Sequence, residues 1–106
     1  MRTILTVLAL GTLTMPAVFG ADAKAGQADY MRACKSCHGP DGTANPAVAK
    51  MMKVDIKNLG SAEVQALSDA DMKTIVTEGK GKMKPVHSVT GASVDDVIAY
   101  VRTLKK

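Results

Sequence analysis

Residues 34–38 of this 106-residue chain read Cys34-Lys35-Ser36-Cys37-His38, and this pentapeptide constrains the fold more than any other feature. C-x-x-C-H is the spacing at which a porphyrin is attached covalently to a polypeptide. Each thiol adds across one vinyl group and leaves a thioether. The histidine after the second cysteine then lies under the iron, where its neutral imidazole can serve as proximal ligand. The motif occurs once, so the expectation is one covalent haem c, held by Cys34 and Cys37 with His38 on the metal.

Other uses of these residues demand partners the sequence does not supply. A zinc site needs four ligands, but the remaining histidine is His87 and there is no third cysteine. A thioredoxin-like pair belongs beside a β-α-β pattern, and no run of buried strands is visible. A disulfide between cysteines three apart closes too small a loop to constrain much chain.

The N-terminus has Met1-Arg2, an apolar run from Ile4 to Met15, Pro16, and then Val18-Phe19-Gly20. This is the pattern of a signal peptide, with cleavage expected after Gly20. The apolar run is shorter than the roughly 18 residues of a spanning helix; an uncleaved anchor is the alternative. Export to the periplasm suits the attachment chemistry, which bacteria carry out outside the cytoplasm. Residues 21–106 remain as one small domain whose only aromatics are Tyr30 and Tyr100. A chain of this size struggles to offset its ordering entropy by burial alone. The porphyrin is therefore expected to form part of the core, and the apoprotein to be largely unfolded.

Without Arg2, the 14 basic residues become 13 against 10 acidic ones. That bias is too mild for nucleic-acid binding, and two tyrosines make no stacking platform for bases. The reading along the mature chain is helical throughout. Asp22 caps a helix from about Ala23 to Lys35, with Gly26, Tyr30 and Cys34 on one face. Gly39-Pro40-Asp41-Gly42-Thr43 ends regular structure just past His38. Asn45-Pro46 reads as an N-cap and first helical residue. Ser61 opens a short helix through Ala66, and Ser68 opens a longer one stopped by Gly79. Ser93 is the expected start of the last helix, where Val94, Val97, Ile98, Val101 and Leu104 recur at helical spacing beside Tyr100.

Taken together, residues 22–106 resemble a small bacterial class I cytochrome c. The resemblance implies an all-α fold of four to five short helices around one haem, with the N- and C-terminal helices crossing nearly at right angles. Gly26 and Tyr100 match the small residue and the aromatic of that crossing. Cys34, Cys37 and His38 match the attachment motif. The stretch Gly79-Lys80-Gly81-Lys82-Met83-Lys84-Pro85 resembles the distal ligand loop, with Lys84 intervening between methionine and proline. The resemblance also implies a proline carbonyl that accepts the proximal imidazole proton. Pro40 and Pro46 are the candidates, and each has a plain job as a turn or helix-start residue.

A soft thioether or an imidazole is needed opposite His38. Met31, Met51, Met52, Met72 and Met83 compete for this place, with His87 as the imidazole rival. Most of these methionines have an ordinary packing role open to them. Met83 has no helical face to serve and sits between Gly81 and Pro85, and the resemblance adds its weight, so Met83 is the expected distal ligand. Iron with both axial positions filled changes oxidation state with little rearrangement and does not bind gases without losing a ligand. Methionine ligation also raises the potential relative to two histidines.

The function expected is a soluble, monomeric, periplasmic one-electron carrier that is not itself an enzyme and does not stay in the membrane once the leader is removed. Lys80, Lys82 and Lys84 suggest a positive collar for acidic redox partners, although lysines also simply keep a loop soluble. Two alternatives stand beside it. A haem peroxidase or gas sensor would have an open or His87-ligated site. A cytochrome subunit of a larger oxidoreductase would carry a sizeable exposed apolar patch.

Overall fold

The structure is a computed structural model and describes residues 20–106. The leader expected over residues 1–20 therefore lies, but for Gly20, outside the described residues. The described residues form six helices in order: α1 Ala23–Ala33, α2 Lys35–His38, α3 Pro46–Met52, α4 Ala62–Gln65, α5 Asp69–Glu78 and α6 Ala92–Thr103. The described residues contain no strand; one isolated bridge pairs Lys80 with Met83.

The crossing of α1 and α6 dominates the packing. Gly26 makes it possible. A Cβ built on Gly26 would lie 1.8 Å from the Asp96 carbonyl oxygen, so only hydrogen fits where the two backbones meet. One turn further along α1, the Tyr30 ring meets Tyr100 of α6 with centroids 5.0 Å apart and planes tilted by 56°. Both hydroxyls leave this pair for the loop after α2: Tyr30 donates to the Gly39 carbonyl (2.6 Å) and Tyr100 to the Pro40 carbonyl (3.2 Å). Asp22 caps α1 by accepting from the Lys24 and Ala25 amides, and its own amide donates to Asp96 Oδ1 at 2.7 Å.

Several local signals act where they stand in the sequence. Asn45 accepts from the Ala47 and Val48 amides at the start of α3, Ser61 from Val64, and Ser68 from Asp71. Gly79 ends α5 with φ of 80°. Val94, Val97, Ile98, Tyr100 and Val101 are the buried face of α6. Arg102, on that helix, donates to the Gln65 and Leu67 carbonyls and to Asp69. It thus neutralises the C-terminal end of α4 and ties α4 and α5 to α6.

Two boundaries differ from expectation. The first helix does not run to Lys35: Cys34, with φ −117°, is its C-cap, and the chain restarts as α2. This break raises the helix number to six and places Cys34 at a joint instead of within a helix. The last helix begins at Ala92 with Gly91 as N-cap, so Ser93 lies inside it and caps nothing. Asp96, three residues after Ser93, accepts from the Asp22 amide at the start of α1.

Among the described residues, ten apolar side chains form the buried core: Tyr30, Cys34, Val64, Met72, Val89, Val94, Val97, Ile98, Tyr100 and Val101. It is a thin shell, and what it surrounds is the site.

Candidate haem site

A cavity of about 720 Å³ lies inside the ring of helices, and seven of the ten core side chains line it. The size is that of a pocket for a large organic ligand. Its walls come from every helix. Tyr30, Ala33 and Cys34 close α1, Cys37 and His38 belong to α2, and Met52 ends α3. Val64 and Leu67 come from α4 and the turn after it, Met72, Ile75 and Val76 from α5, and Val97, Ile98 and Val101 from α6. Val54, Ile56 and Leu59 in the loop after α3 and Lys80 to Lys84 and Val86 after α5 also line it, and the charged Asp55, Lys57 and Glu63 join them as exposed residues. A small domain whose core side chains surround a hole this large needs something apolar to fill it, because packed interiors hold few voids.

The break at Cys34 sets the attachment geometry. The His38 amide donates to the Cys34 carbonyl at 3.0 Å, so a single helical turn carries Cys34, Cys37 and His38. Both sulfurs are free thiols here, standing where thioether sulfurs would be. Burial pushes the Cys34 thiol up to about 11, which keeps it neutral and a poor nucleophile. That environment does not suit a thiol–disulfide redox pair.

His38 is held in a dry setting. Burial pushes its imidazole below the ordinary value of 6.5, so the ring is neutral at pH 7 and keeps a lone pair for a metal. Its Nδ1 is buried without a hydrogen-bond partner among the described residues. Neither proline serves it: the Pro40 carbonyl accepts from Tyr100, and Pro46 is the first residue of α3. Asn45 instead fastens this turn to α3. Its amide donates to the Cys37 carbonyl at 3.0 Å and its side chain to the Ser36 carbonyl.

Met83 lines the same cavity as Cys34, Cys37 and His38. Its backbone is paired with Lys80 in both directions, Lys80 amide to Met83 carbonyl at 2.9 Å and Met83 amide to Lys80 carbonyl at 3.0 Å. Gly81 has φ of 58° between them. With positive φ at Gly81 and not at Lys82, the two central residues fit a tight type II′ hairpin turn, which glycine permits. Among the competitors, Met72 and Met52 also line the cavity, Met31 packs against the core from α1, and Met51 is 74% exposed. His87 is exposed and is not part of the lining. Lys80, Lys82 and Lys84 are exposed at the rim. Among the described residues no three His, Cys, Asp or Glu side chains gather as metal ligands, so a zinc site has no support.

The family model described as "cytochrome C oxidase, cbb3-type, subunit III" matches residues 21–101. The chain belongs to this family and is a small c-type cytochrome. The chemistry of the cavity fits the haem c that such a protein carries: two thiols and a neutral imidazole on one turn, against an apolar wall. Among solved structures, the chain is similar to the "KustC0563 c-type cytochrome", with 28% identity and a TM-score of 0.65. That similarity covers 76% of this chain and 98% of the other. No curated protein matches the sequence significantly. No helix among the described residues of this cytochrome is long and apolar enough to cross a membrane.

Proposed function

We propose that this cytochrome is a soluble, periplasmic one-electron carrier with His38 and Met83 as axial ligands of a single haem c. The observation that carries this reading is that Cys34, Cys37, His38 and Met83 line one cavity, while His87 is exposed outside it. Bound haem supplies an iron that shuttles between two oxidation states. The polypeptide does the rest. Cys34 and Cys37 anchor the macrocycle on a single turn, and burial keeps His38 neutral and available. Met83 is delivered from a turn whose backbone is already paired. The apolar wall excludes water and disfavours the extra charge of the oxidised state, which raises the potential.

The leader is removed after Gly20, and residues 21–106 work as a monomer outside the cytoplasm. Lys80, Lys82 and Lys84 at the rim steer acidic redox proteins toward the exposed edge of the cavity. Electron transfer that slows as ionic strength rises supports that role; a rate flat with salt removes it.

A second reading, a haem-bearing subunit of a larger oxidoreductase, draws support from the description of the matched family. Against it, the described surface exposes one large hydrophobic side chain, Met51, where a stable subunit interface calls for an extended apolar patch.

Carbon monoxide tests the filled-site carrier against a peroxidase or gas sensor. The reduced holoprotein at neutral pH is expected not to bind it. Stoichiometric binding to the wild type at modest concentrations overturns the carrier reading in favour of an open site.

A further inference from the structure

The loop that bears Met83 is tied to the opposite side of the cavity by one contact. Lys82 Nζ donates to the Met52 backbone carbonyl at 2.5 Å, across 30 positions of sequence. That carbonyl is available because of how α3 ends. Lys53 adopts the left-handed conformation, φ 53°, as C-cap. The Val54 amide then takes the Ala49 carbonyl and the Lys53 amide takes that of Lys50. This is a Schellman-type ending. It leaves the Met52 carbonyl facing a cation at the negative end of the helix, where positive charge is favoured.

We propose that Lys82 is a positioning residue that latches the Met83 loop across the rim of the cavity. The inference rests on the ligand assignment made above and adds what holds that ligand in place. The coupling is mechanical. Met83 follows Lys82 directly, and the pairing of Met83 with Lys80 makes Lys80 to Met83 one rigid turn. The contact therefore opposes withdrawal of the Met83 backbone from the cavity, because moving that turn outward pulls Lys82 off Met52. Lys84 lies on the same loop with the same charge, is equally exposed and also lines the rim. No tie across the cavity is recorded for it among the described residues, so it separates a latch from a general effect of charge.

Imidazole binding to the oxidised holoprotein reads the latch, because added imidazole must displace Met83. Its apparent affinity scales with the fraction of molecules whose loop is open. Loss of one exposed charge-assisted hydrogen bond is expected to tighten imidazole binding about three- to fivefold in Lys82→Leu, a change that adds no new ligand sulfur. The sulfur-to-iron band should still be present before imidazole is added. Lys82→Arg, which keeps a donor of similar reach, should return the affinity to the wild-type value, and Lys84→Leu should leave it there. Unchanged affinity in Lys82→Leu, or an equal gain in Lys84→Leu, overturns the latch. A Met83→Ala protein that keeps the band overturns the ligand assignment itself, and Lys82 then has nothing to position.

Discussion

Where α1 crosses α6, backbone lies against backbone, two tyrosine rings meet at a tilt, and Val94 is wholly buried. Across the cavity, between Gly79 and Val86, the chain has one two-residue turn, mostly exposed side chains and a single lysine tie. The first region is ordered by contacts the polypeptide makes with itself. The second faces a cavity and reaches the rest of the protein chiefly through what fills that space. In the proposed carrier so slight a side suffices, because the cofactor would complete the core and the loop has only to present the Met83 sulfur.

The comparison breaks most visibly if the haem is never attached. A Cys34→Ala/Cys37→Ala protein is expected to lose most of its helical circular dichroism and its cooperative melting. Any residual amide-exchange protection should be confined to α1 and α6. Uniform protection through residues 79–86 in that variant contradicts the division drawn here.

Gly26→Val attacks the self-sufficient region. With backbone oxygen 1.8 Å from the new Cβ, the crossing must open. The cost is on the order of 3 kcal/mol or more, a fall of at least about 12 °C in melting temperature for a domain of this size. A holoprotein melting within about 3 °C of wild type shows that the helices do not meet there.

Smaller effects come from the hydroxyls of the tyrosine pair. Tyr30→Phe leaves the buried Gly39 carbonyl with only the long 3.5 Å bond from the Gly42 amide and is expected to cost about 1–2 kcal/mol. Tyr100→Phe loses a longer, part-buried bond and is expected to cost about half as much. Denaturant midpoints at constant m-value check the order, and the reverse order contradicts the assigned burial.

Gly81→Ala is of similar size to the smaller of these, at about 1 kcal/mol for an L residue at φ 58°. A Cβ there meets no atom within 4 Å, so the effect is conformational alone. It should appear as weaker Met83 ligation with α1 and α6 unchanged in amide exchange.

How much of this was legible beforehand follows the same boundary. Caps and stops are local, so Asp22, Asn45-Pro46, Ser61, Ser68 and Gly79 could be placed from neighbouring residues alone. C-x-x-C-H carries its own chemistry in five residues. The Gly26–Tyr100 crossing was reached through family resemblance, since nothing near Gly26 in sequence mentions α6. The break at Cys34 was hidden because Gly26, Tyr30 and Cys34 share helical spacing whether or not the helix continues. The start of α6 was misplaced because Ser93 looks like an N-cap, whereas Gly91 takes that place with φ of 56° and no side chain caps the helix. Gly81-Lys82 did carry a signal, a glycine between paired residues of a short loop, but the Lys82 contact with Met52 is non-local and had none. The role of a proline carbonyl at His38, implied by resemblance, has no counterpart in the hydrogen bonds around Nδ1.

The most direct test of the central claim is the mass of the exported holoprotein, measured intact after denaturation in acid. The account predicts residues 21–106 carrying one haem that denaturation does not release. That product should become haem-free in the Cys34→Ala/Cys37→Ala protein. A polypeptide of unmodified mass, or one shortened only by the two hydrogens of a Cys34–Cys37 disulfide, contradicts it.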